Sequence, residues 1–257
     1  MLWIRDEGQG APLVLLHAAG VSGDIWWRHI PRLAKRFRVL AVDLPGHGRS
    51  AKPQKPLSIE GMAEELFETL QKRAFLPIHL VGLSLGGMVA QMFFVNHPKS
   101  VVSLTLCDTL CEVNPALAGI LEERAKAVER GGMAAILQPT LERWFSPKFF
   151  RDHPEIVASV EKLLLKADPL SNAQTWRAIA KMDIPSRLRD LPRPSTLVVN
   201  GSLDTSIPSG SGKRLSEIFG ARFVELESSA HMAPLEAPEK FMDILESFLS
   251  EREVREK

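Results

Sequence analysis

Short, unbroken apolar runs recur along the first half of the chain. Pro12 to Leu16, Arg38 to Val42, Ile78 to Leu83 and Val101 to Leu106 are continuous rather than alternating. Continuity marks strands buried on both faces, as in a parallel sheet. Leu2 to Arg5 reads as a short edge strand ahead of them, turned back by Gly8-Gln9-Gly10. Between the runs the period changes. Asp24 to Leu33 reads as a helix around Trp26 and Ile30, made imperfect by Pro31. Ser58 caps a helix with Met62, Leu66 and Leu70 at helical spacing, and Leu57 is placed as a hydrophobic staple onto Met62. Strand and helix alternate, so the pattern demands a mostly parallel sheet with helices on both faces.

From Val113 to Asp183 no strand is predicted. Ile120, Leu121, Arg124 and Val128 give one helix closed by Gly131-Gly132. Ile156, Val157, Val160, Leu163 and Leu164 give a second after Pro154, and Asp168-Pro169 caps a third that includes Trp176 and Ile179. The sheet resumes at Ser195 to Asn200 and again at Arg222 to Leu226, with a helix around Leu215 and Ile218 between them. Pro238 starts a final amphipathic helix through Phe241, Ile244, Leu245 and Phe248, and the charged tail from Glu251 is expected to fray. The organisation predicted is a core domain of residues 1–112 and 184–257 with a helical cap, 113–183, inserted between strands. Such a segment would cover the carboxyl ends of the strands, where open α/β sheets bind ligands.

Composition narrows the function more than the fold. The 257 residues carry 32 Lys and Arg against 31 Asp and Glu, a net charge of +1, so there is no basic field for nucleic acid. The first apolar run, Leu13 to Leu16, is too short for a secretory signal or a membrane span, and a soluble cytoplasmic protein is expected. Cys107 and Cys111 are too few for a disulfide framework and lack the spacing of a zinc site, so no metal is expected. With no tyrosine in the chain, a phenol is not available as a catalytic donor.

Chemistry concentrates where the third run meets a helical pattern, at Gly82-Leu83-Ser84-Leu85-Gly86. The chain must reverse so sharply at Ser84 that flanking side chains would collide, which explains the two glycines. The turn lifts the Ser84 hydroxyl above the sheet, while the backbone N–H of Leu85 opens the next helix and is positioned to hold negative charge. A second such donor is expected from Ala19, in the small-residue loop His17-Ala18-Ala19-Gly20 after the first run. A serine nucleophile needs a base, and the base an acid. Asp204 and His231 both follow predicted buried strands, so they reach the same sheet edge as Ser84, in the order Ser, Asp, His. Asp108, also at a strand end, is the rival acid, and His47, in the turn-rich loop Asp43 to Ser50, is the rival base that reads better as a loop residue.

These motifs together, with Asp43-x-x-Gly46-x-Gly48-x-Ser50, Gly201-x-x-Asp204 and Ala230-His231, resemble the α/β-hydrolase superfamily over nearly the whole chain. The stretches Gly82 to Gln91 and Glu142 to Pro147 are most similar to 3-oxoadipate enol-lactonases and small carboxylesterases. The resemblance implies a sheet of about seven strands and a cofactor-independent serine hydrolase acting on a small carboxylic ester or lactone. It also places Arg143 to meet a substrate carboxylate and Trp144 to line the pocket; the alternative is a solvated helix-end Arg beside a core Trp. Three positions qualify the likeness. His17-Ala18 replaces the common His-Gly, and Leu83 stands where carbon–carbon bond hydrolases usually have Asn. Serine at 84 argues against dehalogenases and epoxide hydrolases, which use Asp. A ligand-sensing relative with slow turnover stays open as the rival from another class, and a carbon–carbon bond hydrolase as a second.

Overall fold

A computed structural model of the chain describes residues 1–52, 55–187, 191 and 193–253. Its strands are β1 (Ile4–Glu7), β2 (Pro12–Leu16), β3 (Arg38–Val42), β4 (Ile78–Leu83), β5 (Val101–Cys107), β6 (Ser195–Gly201) and β7 (Arg222–Leu226). They form one seven-stranded sheet in the order β1-β3-β2-β4-β5-β6-β7, antiparallel only at the β1–β3 edge. The four apolar runs fall on β2 to β5. β1 lies further along than expected, with Ile4 paired to Val42. Its charged Arg5, Asp6 and Glu7 suit an unpaired edge, and this polarity disguises the strand as a turn.

The helices around the core are α1 (Ile30–Leu33), α2 (Ile59–Lys72), α3 (Leu85–Asn96) and, after the fifth strand, a run of five: α4 (Pro115–Gly131), α5 (Ala134–Trp144), α6 (Pro147–Asp152), α7 (Pro154–Lys166) and α8 (Pro169–Ile179). The chain ends with α9 (Ser211–Phe219), α10 (Ala233–Glu236) and α11 (Pro238–Glu253). From β2 the chain moves one way across the sheet to β3 and then the other way to β4. Right-handed crossovers therefore put α1 and α2 on opposite faces. On the α1 face Arg32 donates to Glu246 and Asp243 of α11. The reversal also makes the gap at the carboxyl ends of β2 and β4 the ligand-binding crevice of a doubly wound sheet.

Two expected elements differ. The Asp24–Leu33 helix is broken into a 3-10 turn, Gly23–Trp26, and the single turn of α1, because Pro31 is tolerated only in a first helical turn. Among the described residues between β5 and β6 there are five α-helices where three were expected. Pro139 inside α5 interrupts the apolar period, and α6 is too short to show one. The last helix carries Glu251 and its successors to Glu253, where a frayed tail was expected; residues 254–257 lie outside the described part. Caps behave as read: Ser58 accepts from Gly61 N–H and Asp168 from Ser171 N–H. The five-helix run enters and leaves through one antiparallel bridge, Glu112 to Asp183, next to the paired backbones of Val113 and Met182. Among the described residues no helix is long and apolar enough to cross a membrane, and no cluster of three or more His, Cys, Asp or Glu is placed to hold a metal ion.

Buried histidines make the α1 face sensitive to acid. His29 donates from Nε2 to the Pro234 carbonyl at 2.9 Å, while burial pulls its pKa from 6.5 down to about 4. Below pH 6.5 an unfolded chain binds a proton that folded His29 refuses until about pH 4, so its contribution to stability is lost as pH falls through that window. Relative to His29→Gln, the wild-type protein is expected to lose about 3 kcal/mol of unfolding free energy between pH 7 and pH 4. Denaturant titrations of both proteins check this, and a difference that does not change with pH would contradict it.

Candidate active site

Ser84 sits between β4 and α3 with φ 53° and ψ −112°, a backbone conformation that few non-glycine residues adopt. The neighbours hold it there. Ser84 N–H donates to Cys107 O at 2.9 Å, Ser84 O accepts from Thr109 Oγ1 at 2.7 Å, and Gly86 N–H donates to His17 O at 3.0 Å. A Cβ at Gly82 would run into the Gly86 backbone and one at Gly86 into the Leu16 carbonyl, so the turn can close only with glycine at both positions. Leu85 is the first residue of α3, where helical N–H groups have no partner within the helix.

Parallel strands bring three side chains to one edge. His231, after β7, lies with Nε2 3.0 Å from Ser84 Oγ and Nδ1 2.8 Å from Asp204 Oδ2. A carboxylate only accepts, so Nδ1 carries the hydrogen and Nε2 is left to accept from the Ser84 hydroxyl. Asp204 Oδ1 accepts from Ser206 N–H at 2.7 Å, which fixes the carboxylate plane. The His231 and Asp204 side chains are both almost fully buried.

The rival residues are placed elsewhere. Asp108 accepts from Gly201 N–H at 2.7 Å and from Ala233 N–H at 3.3 Å, tying the loop before Asp204 to the helix after His231. Burial, then the nearby Asp204, pushes its carboxyl well above the usual range. His47 donates from Nδ1 to Pro45 O at 3.0 Å and packs beside His17, in the loops that follow β3 and β2. His17 in turn donates to Ala18 O and accepts from Leu44 N–H, each within 2.9 Å, which shapes the loop carrying Ala19.

A cavity of about 420 Å³ opens above Ser84 and His231. Ala19, Met88, Arg143, Trp144 and Ile207 line it, so both residues carried over from the lactonase likeness face the cavity. Trp144 is buried, its ring centroid 6.1 Å from that of His231, and its carbonyl accepts from Met232 N–H at 2.9 Å. Arg143 is half-buried, and burial lowers its pKa. Ile120, one of the positions that gave this helix in the sequence, is 66% exposed and lies on the cavity wall.

Two residues not singled out from sequence complete the surroundings. Glu236 accepts from Ser146 N–H and Oγ–H and from Ala230 N–H, joining the start of α6 to the residue before His231. Arg124, noted only as a member of a helical stripe, lines the cavity. Its signal in the sequence is an arginine at a position the period marks as apolar.

Comparison with known proteins gives the family and the fold. A family model described as the alpha/beta hydrolase family matches residues 13–244. The chain is 31% identical over 254 residues to the pimeloyl-(acyl-carrier protein) methyl ester esterase of Aeromonas hydrophila, covering 96% of this chain and 98% of that protein. It is 25% identical over 237 residues to 3-oxoadipate enol-lactonase 2 of Acinetobacter baylyi, covering 92% and 88%. Among solved structures, a thermophilic esterase from Thermogutta terrifontis with malate bound superposes with a TM-score of 0.89 at 26% identity, over 98% of this chain and 93% of that one.

Proposed function

The chain belongs to the alpha/beta hydrolase family, and from that premise we propose that it is a serine hydrolase cleaving a small carboxylic ester or lactone through an acyl-enzyme. The observation that carries the reading is the relay Ser84 Oγ, His231 Nε2 and Asp204 Oδ2, linked at 3.0 and 2.8 Å at the floor of a mainly apolar cavity. Relatives named as a methyl ester esterase and an enol-lactonase support the bond type.

In this reading Ser84 Oγ attacks the acyl carbonyl while its proton passes to His231 Nε2. The carbonyl oxygen becomes an anion held by the N–H groups of Leu85 and Ala19. The tetrahedral intermediate collapses, the alkoxide leaves with the proton from His231, and Ser84 remains acylated. Water, deprotonated by His231, then attacks the acyl carbon, and the free acid departs as Ser84 recovers its proton. No cofactor enters any step. Asp204 keeps Nδ1–H of His231 in place and stabilises the imidazolium. Residues 113–183 act as a cap over a core of residues 1–112 and 184–257, with Trp144 and Arg143 as its contribution to the pocket wall.

An aryl phosphonate tests the assignment. One equivalent is expected to label Ser84, identified by peptide mass, and to abolish cleavage of a neutral aryl ester. Label on another residue, or full activity in the labelled protein, would contradict it.

A further inference from the structure

The loop after β2, His17-Ala18-Ala19-Gly20, has almost no side chain with which to hold itself rigid. His17 fixes one end by accepting from Leu44 N–H. The other end meets the helices of residues 113–183. Gly20 has φ 80°, and a Cβ there would come within 2.9 Å of Asn172 Nδ2, 3.1 Å of Leu164 Cδ2 and 3.5 Å of Met133 Cε. Only glycine allows so close an approach at that φ. Gly20 directly follows Ala19, the proposed second oxyanion donor.

Asn172 stands on α8 and is 2% exposed. Its Oδ1 accepts from Trp176 Nε1–H at 2.7 Å, one turn further along. An indole nitrogen only donates, so this bond fixes which end of the amide is oxygen and turns the NH2 end toward Gly20. Among the described residues Nδ2 has no hydrogen-bond partner. A buried amide donor left unpaired destabilises the folded protein, and an apolar side chain would fill the same space without that cost. α8 is itself tied to the core: Lys52 Nζ lies 2.6 Å from Asp168 Oδ2 at its cap, and Leu57 N–H donates to Gln174 Oε1 at 3.2 Å. The Trp176 ring lines the cavity above Ser84, with the Arg124 guanidinium carbon 4.2 Å from its centroid. Contacts thus run unbroken from the cavity wall through Trp176 and Asn172 to the oxyanion loop.

We propose that Asn172, set by Trp176, is the positioning residue of this loop: it presses on Gly20, keeps Ala19 N–H aimed at the oxyanion, and turns the positive end of its amide dipole to the place where negative charge develops. A backbone donor stabilises the transition state only when it is already in place. The inference rests on reading Ser84 as the nucleophile and Ala19 as a donor, and it gives the five-helix segment a part in the rate of acyl transfer as well as in substrate fit.

Trifluoromethyl pentyl ketone tests it beside para-nitrophenyl hexanoate, which carries the same alkyl chain. Ser84 Oγ adds to the ketone carbonyl, its proton passes to His231 Nε2, and the carbonyl electron pair becomes an oxyanion in the hole; with no leaving group the reaction stops there. Asn172→Ala is expected to lower kcat and kcat/KM for the ester by about 10- to 100-fold with little change in KM, and to weaken the ketone by a similar factor. Trp176→Phe, which removes the Nε1 donor and frees the amide to turn, is expected to lower both in the same direction by less, and it carries the test if Asn172→Ala does not fold. A lower melting temperature with kcat and ketone affinity unchanged overturns the proposal, as does a loss of kcat with ketone affinity retained. Wild type that binds this ketone no better than methyl pentyl ketone forms no hemiketal, which sinks the nucleophile and the proposal together. Tight and equal binding by wild type and both variants sinks the proposal alone.

Discussion

Ser84→Ala is expected to lose about 10⁴- to 10⁶-fold in kcat while the protein melts within a few degrees of wild type. The two halves of this expectation have separate causes. Ser84 Oγ is the proposed attacking atom, and alanine has nothing to put in its place. The turn itself is held by main-chain groups, Ser84 N–H on Cys107 O and Ser84 O under Thr109 Oγ1, and alanine keeps both. Alanine also has the same Cβ at the same φ of 53°, so no new backbone strain is introduced. Steady-state rates with a sensitive aryl ester and a thermal melt decide the matter. A variant turning over within tenfold of wild type would remove Ser84 from the mechanism.

Asp204→Asn is expected to cost about 10⁴-fold in kcat, because an amide nitrogen facing Nδ1 favours the tautomer in which Nε2 carries the hydrogen and cannot accept from Ser84. Asp108→Asn should behave differently. Asp108 lacks a hydrogen bond to His231 and serves Gly201 N–H and Ala233 N–H instead. Its amide replacement would turn a donor toward one of those N–H groups, costing about 1–3 kcal/mol of stability with the smaller loss of rate. Measured side by side, kcat and denaturation midpoints distinguish the acid that orients the base from the one that joins two loops. Greater loss of rate in Asp108→Asn would exchange their roles.

The Ser84 turn was legible because its constraint is steric and local: the glycines at 82 and 86 are required by atoms within a few residues and by β2 next door. Strands β2 to β5 were legible for a related reason, since a strand covered on both faces has little room for polar side chains. Asp204 and His231 could be assigned to the Ser84 edge because parallel strands share a direction. β1 was misplaced because edge strands are allowed the charges that otherwise signal turns. The α5 and α6 helices escaped because Pro139 and a short span hide their period. Arg124 showed only as an arginine at an apolar position of its helix and Glu236 not at all, since their surroundings depend on how α4 docks over Ser84 and how α6 meets α10. The docking of helices is set by many weak contacts spread over the chain, and no short motif encodes it.

The Trp144 carbonyl held by Met232 N–H, and the Glu236 carboxylate shared between Ser146 and Ala230, join the α5–α6 corner to both sides of His231. The cavity wall and the proposed base are therefore one mechanical part. Exchange of the five-helix segment for a relative's, as a route to new specificity, would have to carry residues 230–236 with it. A graft that left them behind would move the histidine along with the wall, so selectivity and rate in this scaffold are bound to change together.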